Sequence, residues 1–221
     1  WAVPGILPQG LTLLAGSPKL GKSWLVLNVA VAVATGGKAL GAVDVDEGDV
    51  LYLALEDTGR RLQDRLKMVL QATPAPHRLT LATECPKLHE GGTERITGWL
   101  DDHPDARLVV IDTLAKVRGV PARNTDRYQA DYESVTRIKA IADAYDVAVV
   151  LVHHTNKGEH ADYLDAVSGT QGIAGSADGL VVLRRARGMA TAELKVTGRD
   201  VTETDYALDF NAPTGTWGLL D

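Results

Sequence analysis

The sequence predicts an α/β fold, with a mostly parallel, twisted sheet flanked by helices and an antiparallel extension formed by the last strands. Apolar segments of strand length alternate with helical segments along most of the chain, which is typical of a parallel sheet covered on both faces. After residue 179 the helical segments stop, and short strand-like segments follow one another between tight turns. These two observations predict that the extension lies at one edge of the sheet.

The predicted strands share a run of consecutive apolar residues bounded by glycine, proline or polar residues. The first of them leads directly into a glycine-rich turn, and each of the next three ends in or just before polar side chains. The predicted strands are residues 11–15, 49–55, 107–111, 147–152, 180–183, 192–196, 206–210 and 216–220.

The predicted helices lie between these strands. Asp57 or Thr58 can cap the second helix, and Pro104 follows the end of the third. Polar segments at 117–126 and 157–168 are predicted to be loops. The predicted helices are residues 24–34, 60–70, a segment containing Trp99 and Leu100, 128–145, and a closely packed segment with the small residues Gly172, Ala174, Gly175 and Ser176.

Length and composition fit one globular domain. The chain has 221 residues, of which 45% are hydrophobic and 24% charged, and one core can still grow at this size. We therefore expect residues 1–221 to form a single domain. No apolar run approaches the roughly 20 residues that cross a bilayer, and no signal-peptide pattern is found, which favours a cytoplasmic protein without membrane contact. Because the first residue is Trp1 and not Met, we expect a fragment of a longer protein.

Cysteine content and charge limit the other possibilities. Cys85 is the only cysteine, so no disulfide can form within the chain, as is usual in a reducing cytosol. The net charge of −6 argues against a uniformly basic surface for nucleic acid. A local basic loop remains compatible with this charge.

A phosphate-binding motif follows the first strand. In the pattern G-x-x-x-x-G-K-[ST], the glycines let backbone N–H groups approach phosphate, the lysine reaches the β- and γ-phosphates, and the hydroxyl binds Mg²⁺. The helix that begins there adds its positive end to the site. The motif predicts binding of ATP and Mg²⁺, and Trp24, the next residue, is included in the predicted site. Its eight residues are Gly16, Ser17, Pro18, Lys19, Leu20, Gly21, Lys22 and Ser23.

Two carboxylates follow predicted strands and are candidates for the remaining chemistry. Asp112 ends the third strand, where a carboxylate can order Mg²⁺, although a buried strand that simply ends in a polar residue is common. Glu56 follows the second strand, where a glutamate can activate the attacking water. The alternative for Glu56 is an acid at a helix start, a role that suits Asp57 better.

Two histidines end the fourth strand. Because side chains alternate along a strand, only one of His153 and His154 should face the phosphate site. Such histidines are often ordinary hydrogen-bonded residues. Their position after Asp112 in the chain favours a sensor of the γ-phosphate.

These motifs resemble those of the plasmid RepA-type and mobile-element AAA ATPases of the RecA/KaiC superfamily, relatives of the hexameric replicative helicases. The resemblance is carried by Glu56-Asp57, Asp112-Thr113, the segment from His153 to Lys157, and Gly198-Arg199-Asp200. It implies a RecA-like fold and a ring, usually a hexamer, with ATP between subunits. Deviant motifs of the ParA type carry lysine directly after the first glycine, where this chain has Ser17.

The resemblance also implies roles for individual residues. Glu56 would activate water, Asp112 and Ser23 would hold Mg²⁺, and His154 would sense the γ-phosphate. Arg199 resembles an arginine finger that reaches the ATP of the neighbouring subunit, with a solvated turn arginine as the alternative. Arg65 lies where some relatives place an arginine against adenine.

Single-stranded DNA is the partner that the resemblance implies, with contacts in the loops after the third and fourth strands. These loops contain Arg118, Arg123 and Lys157, but also several acids, which supports DNA binding only weakly. The predicted function is an ATP-driven, ring-forming DNA helicase or translocase in the replication of a plasmid, phage or mobile element. A KaiC-like or recombinase-type ATPase that assembles on a partner or on DNA without unwinding it is one alternative.

A P-loop kinase for a small molecule is the second alternative. Such an enzyme needs an arginine-rich lid over its acceptor. The arginines that cluster here, Arg184, Arg185 and Arg187, follow an apolar strand near Gly188 and are predicted to belong to a hairpin turn.

Overall fold

A computed structural model describes residues 1–119, 127–154, 171–186 and 188–220. Its main sheet has nine strands in the order β11-β10-β9-β8-β1-β7-β6-β4-β5, and β2 and β3 form a separate small hairpin. The strands are β1 (Gly10–Gly16), β2 (Lys38–Ala39), β3 (Val43–Asp44), β4 (Asp49–Ala54), β5 (Leu79–Ala82), β6 (Ala106–Asp112), β7 (Ala148–His154), β8 (Gly179–Arg184), β9 (Thr191–Gly198), β10 (Thr204–Asn211) and β11 (Thr216–Leu219).

Helices cover both faces of this sheet. A short 3₁₀ turn at Leu88–Glu90 precedes the third helix. The α-helices of the described residues are α1 (Lys22–Thr35), α2 (Gly59–Leu70), α3 (Gly92–Asp102), α4 (Leu114–Val117), α5 (Arg127–Ala144) and α6 (Gln171–Ser176).

The sheet is parallel from β5 to β8 and antiparallel from β8 to β11. Because side chains alternate along each strand, they pack into two cores, one on each face of the sheet. One core contains α1, with residues such as Leu27 and Val33 against Leu14 of β1. The other contains α3 and α5, with Ile96 and Ile138 among its members. The predicted α/β architecture and its antiparallel extension are confirmed.

Several local details differ from the sequence predictions. Thr58 is the N-cap of α2, and its hydroxyl accepts a hydrogen bond from the N–H of Arg61, whereas Asp57 does not cap the helix. Short elements were missed, since the strands β2, β3 and β5 and the single-turn helix α4 are too brief to show a period. Val117 ends α4 and does not begin a loop. The rest of the predicted loop at 120–126, and the one at 157–168, lie outside the described residues.

The antiparallel extension is joined to α1 by one buried side chain, Asn28. Its Nδ2 donates to the carbonyl of Gly215 at 3.1 Å, and its Oδ1 accepts from the N–H of Trp217 at 2.7 Å. Gly215 itself is required by close approach, because a Cβ there would lie 2.2 Å from the Trp24 ring. The turn between β10 and β11 is therefore fitted tightly to the start of α1.

We predict that Asn28→Ala lowers the free energy of unfolding by about 1–3 kcal/mol, because two buried backbone groups lose their partner. Chemical denaturation of both proteins measures this difference. Asn211→Ala, at an exposed position of the same turn, is the control and should change stability by less than about 0.5 kcal/mol. Equal losses in the two variants would contradict the assigned role of Asn28.

Candidate functional site at the carboxyl edge of the sheet

The predicted site residues meet because their strands are neighbours. Gly16 at the end of β1 lies opposite His154 at the end of β7. Asp112, at the end of β6, lies opposite Val152 of β7 on one side and Ala54 of β4 on the other. Since these strands are parallel, their carboxyl ends form one edge, which is where open α/β sheets place their ligands.

The glycine-rich motif forms the turn between β1 and α1. A Cβ at Gly16 would lie 2.7 Å from the carbonyl oxygen of Leu183, so only glycine fits this position. Gly21 has a φ of 101° and would place a Cβ 2.9 Å from the Trp217 ring. Lys19 also has a positive φ, 68°. The turn is thus shaped for backbone amides to approach an anion at the start of α1.

Lys22 is buried at the first position of α1. Its Nζ donates to the carbonyl oxygens of Gly16 at 2.6 Å and Ser17 at 2.8 Å. Burial lowers the pKa of Lys22 to about 8, although the carboxylates of Asp112 and Glu56 oppose this shift. An ammonium held by backbone carbonyls can exchange them for phosphate oxygens when these enter the turn.

Asp112 is buried and tied to both neighbouring elements. The Tyr52 hydroxyl donates to its Oδ2 at 3.2 Å, and Ser23 also forms a hydrogen bond with the carboxylate. Burial raises the pKa of Asp112 above its ordinary value, and the hydrogen bonds from Ser23 and Tyr52 act against this rise. The carboxylate is therefore fixed beside the Ser23 hydroxyl, as the sequence predicted for a metal site.

The residues present fit a magnesium ion. The Oδ1 atom of Asp112 is buried and has no hydrogen-bond partner among the described residues. A buried carboxylate oxygen left without a partner is costly, and a hard cation satisfies it. Ser23 and Asp112 are the residues that would hold Mg²⁺ here.

Glu56 lies at the centre of a small polar network. The Thr113 hydroxyl donates to its Oε1 at 3.2 Å, and Nε2 of His154 lies 3.3 Å from its Oε2. The other ring nitrogen of His154, Nδ1, is buried and has no hydrogen-bond partner in the described part of the chain. His154 is thus the histidine of the pair that contacts the predicted base. The sequence placed Thr113 in the motif Asp112-Thr113 but predicted no separate role for it.

Arg65 and Trp24 lie together beside the glycine-rich turn. The Arg65 guanidinium is 5.3 Å from the centre of the Trp24 ring, within the range of a cation–π interaction. Arg65 also forms an ion pair with Asp57, which is buried and pairs with Arg61 as well, at 3.2 Å. Asp57 therefore orients Arg65. The structure brings Arg65, which was predicted to lie against adenine, together with Trp24, which was included in the predicted ATP site.

The extension adds aromatic residues to this region that the sequence alone did not indicate. The indole N–H of Trp217 donates to the carbonyl of Gly21 at 3.2 Å. Phe210 stacks obliquely against Trp217 at 4.9 Å, and the Arg185 guanidinium lies 5.0 Å from the Phe210 ring. The predicted hairpin joins β8 to the antiparallel β9. Arg184 is the last residue of β8 and not part of the turn, Arg185 follows it, and Arg187 lies outside the described residues.

Arg199 lies at the opposite end of the strands, where the parallel strands begin. It follows Gly198, which pairs with Gly179 at the amino-terminal end of β8. Its guanidinium is exposed, 3.5 Å from Oδ1 of Asp178 and 3.4 Å from the carbonyl of Gly175. Because β1 and β8 are parallel, this end of the sheet is the one opposite the glycine-rich turn. Arg199 is therefore not brought together with the other predicted site residues of its own chain.

The sequence of the chain matches a known protein family. A family model described as "AAA domain" matches residues 1–160. The match covers more than half of the chain, and the protein belongs to this family.

In the described residues no helix is long and apolar enough to span a membrane.

Curated relatives include the DNA repair protein RadA of Mycobacterium tuberculosis, from strains CDC 1551 / Oshkosh and ATCC 25618 / H37Rv. Each is 27% identical over 156 residues, which is 69% of this chain and 28% of the relative. The chain therefore spans less than a third of the length of these relatives.

Two solved structures share the fold along nearly the whole chain. One, described as an ATPase domain, has a TM-score of 0.78 at 16% identity, and the match covers 97% of this chain and 86% of that structure. The other, "The Structure Of A DnaB-Like Replicative Helicase And Its Interactions With Primase", has a TM-score of 0.79 at 16% identity and covers 98% and 60%. The predicted resemblance to RecA-like P-loop ATPases related to replicative helicases is confirmed.

We predict that Tyr52→Phe raises the Mg²⁺ concentration needed for half-maximal ATP turnover by roughly 10-fold, because the carboxylate of Asp112 loses the hydroxyl that orients it. A magnesium titration at saturating ATP measures the change. Tyr132→Phe, at an exposed tyrosine, is the control and should match the unmodified protein. An unchanged magnesium requirement in Tyr52→Phe would show that the hydroxyl does not position Asp112.

Proposed function

We propose that this chain hydrolyses ATP, with Mg²⁺, at sites shared between neighbouring subunits of a ring, and that it uses this reaction to move along single-stranded DNA. One observation carries the proposal. The phosphate-binding turn lies at the carboxyl ends of the parallel strands, together with Asp112, Glu56 and His154. Arg199 lies at the amino ends of these strands. An arginine so placed can reach the phosphates of ATP only in another subunit.

Within one subunit, each side chain has a distinct task. Lys22 releases the carbonyl oxygens of the turn and binds the β- and γ-phosphates. Glu56 accepts a proton from the attacking water, and the hydroxyl of Thr113 holds its carboxylate in place. Ser23 and Asp112 would hold Mg²⁺, which would supply positive charge against the phosphate oxygens.

His154 connects the catalytic base to the fate of the γ-phosphate. It contacts Glu56 through Nε2 and ends the strand β7 that lies beside β1. A γ-phosphate seated against the turn would compete with Glu56 for this imidazole. Release of phosphate would restore the contact, so the contacts of His154 at the end of β7 would differ before and after hydrolysis.

The ring and the DNA are the parts of the proposal that depend on the resemblance to RepA-type ATPases. A ring, usually a hexamer, supplies the second subunit that Arg199 requires. The alternative is a KaiC-like or recombinase-type ATPase that assembles on a partner or on DNA without unwinding it, and the likeness to a protein named for DNA repair is compatible with either. A displacement assay with a forked duplex separates the two, because only a helicase releases the second strand when ATP is hydrolysed.

We predict that Glu56→Gln binds ATP as the unmodified protein does but hydrolyses it about 10²–10⁴-fold more slowly, because only the proton-accepting charge is lost. Single-turnover hydrolysis and equilibrium binding of labelled ATP test this. Lys22→Ala provides the contrast, since it should lose binding itself. Glu133→Gln, an exposed glutamate of α5, should behave as the unmodified protein. Normal hydrolysis by Glu56→Gln would identify Glu56 as an ordinary acid before a helix.

We predict that Arg199→Ala binds ATP normally and loses roughly 10³-fold in turnover, the effect of removing an arginine finger. Turnover per chain of the unmodified protein should also fall on dilution below the assembly concentration. Arg60→Ala, which removes an exposed arginine of α2, is the control and should retain full turnover.

Mixed assemblies give the sharper test of a shared site. When Arg199→Ala and Glu56→Gln chains are combined, some sites pair an intact base with an intact arginine, and activity should return in part. Mixed rings without any rescue, together with turnover that does not depend on concentration, would reduce Arg199 to a residue of a surface turn.

A further inference from the structure

A second cleft opens at the carboxyl ends of β4 and β5, beside the catalytic edge. Its volume is about 550 Å³, and its lining includes Leu55, Cys85, Arg95 and Lys116. Leu55 directly precedes Glu56 and donates its N–H to the carbonyl of Asp112 at 2.7 Å. The cleft and the proposed ATP site are thus lined by consecutive residues of the chain, Leu55 and Glu56.

The cleft carries a surplus of positive charge although the whole chain is acidic. Arg95 and Lys116 are exposed, and neither forms an ion pair within the described residues. The Nζ of Lys87 donates to the main-chain carbonyl of Lys116 at 2.5 Å, so a third cation lies against the same helix. Glu84 is the acid that lines the cleft. Cations that remain unpaired in a chain with a net charge of −6 are available to an anionic ligand.

Arg118, by contrast, is not available. The sequence offered it as a DNA contact, but its guanidinium lies 2.8 Å from the carboxylate of Asp131, and both side chains are mostly buried. This ion pair fixes the end of α4 against α5. Lys116 is the cation on α4 that points to solvent, and the chain continues from α4 into segment 120–126.

The helix α4 links the cleft to the catalytic base. The N–H of Lys116 donates to the carbonyl of Thr113 at 2.9 Å, and the hydroxyl of Thr113 holds Glu56. An anion that binds Lys116 therefore acts within one helical turn of the residue that positions Glu56. A ligand in the cleft has a short physical route to the rate of hydrolysis.

We propose that this cleft binds the phosphate backbone of single-stranded DNA through Arg95 and Lys116, with Lys87 as a supporting cation. The proposal rests on the proposed function and names the surface on which its DNA lies. Basic side chains around a cleft that also contains apolar surface, here Leu55 and Pro86, suit a strand that presents phosphates together with sugars and bases. Positive charge that contacts phosphates also makes affinity depend on salt.

The first test measures the affinity of the protein for a labelled oligo-dT at several salt concentrations, with a nonhydrolysable ATP analogue present. Arg95→Ala and Lys116→Ala should each weaken binding roughly 5- to 10-fold. Each should also reduce the slope of log affinity against log salt by about 0.7, the value for one lost contact to single-stranded DNA. Lys67→Ala removes an exposed lysine from α2, which packs on the opposite face of the sheet, and should change neither quantity.

The second test uses Cys85, the only cysteine of the 221 residues, as a reporter inside the cleft. Its rate of reaction with a thiol reagent should fall several-fold when saturating oligo-dT is added. Burial raises the pKa of this thiol, and the charge of Arg95 opposes the rise. Because a change at Arg95 would also change the fraction of thiolate, reaction rates with and without DNA are compared at one pH and within one variant. Protection by DNA would place the strand over the cleft.

The outcomes separate this proposal from the proposed function. If the unmodified protein binds oligo-dT but the two variants bind it equally well and Cys85 is not protected, the cleft is not the DNA site and the translocase proposal survives. If the unmodified protein hydrolyses ATP but does not bind single-stranded DNA, both the cleft proposal and the DNA part of the proposed function are overturned. Weaker binding with a smaller salt slope, together with protection of Cys85, supports the cleft.

Discussion

The buried carboxylate of Asp112 is the group on which the arrangement of the site depends. Removing a charge from water is costly, and the cost is lowered here by hydrogen bonds from Tyr52 and Ser23. Tyr52 comes from β4 and Ser23 from α1, so the carboxylate joins three elements at one point. The oxygen that remains without a partner among the described residues is the one suited to a cation. Folding and the proposed metal binding therefore use the same side chain.

The buried charge of Asp112 is accompanied by the buried positive charge of Lys22. Lys22 is buried close to Asp112 and Glu56, and burial lowers its pKa to about 8 in spite of both carboxylates. In the structure, carbonyl oxygens of the turn hold its ammonium. Those oxygens carry only partial charge, so phosphate oxygens are stronger partners for the same group. We infer that the turn is preorganised for a polyanion, because the lysine needs only to exchange one set of oxygen partners for another.

The sequence predicted the parts of the site that are encoded locally. The motif from Gly16 to Ser23 predicted the turn between β1 and α1. The ends of apolar strands predicted that Glu56, Asp112 and His154 would lie close together, because neighbouring parallel strands end on the same side of a sheet. Contacts between distant segments were not predictable in this way. Tyr52 is an ordinary apolar-strand residue until β6 is placed beside it. Nothing near Arg118 in the sequence indicates that Asp131 will neutralise it.

The antiparallel extension has contacts at both ends of the parallel strands. The late run of short strands therefore matters to the proposed chemistry. At one end, Trp217 donates to the carbonyl of Gly21 and blocks any larger residue there, so the glycine-rich turn is held against β11. At the other end, the turn after β9 carries Arg199 and is held by Asp178, which also pairs with Lys139 at 2.8 Å and accepts from the N–H of Leu11 in β1. The strands β9 and β10 span the distance between these ends with continuous pairing. We infer that continuous pairing of this kind would carry a displacement of the turn to the opposite end of the strands, where the proposed neighbour's ATP would lie. In a ring, each phosphate site would then be coupled to the next through the extension.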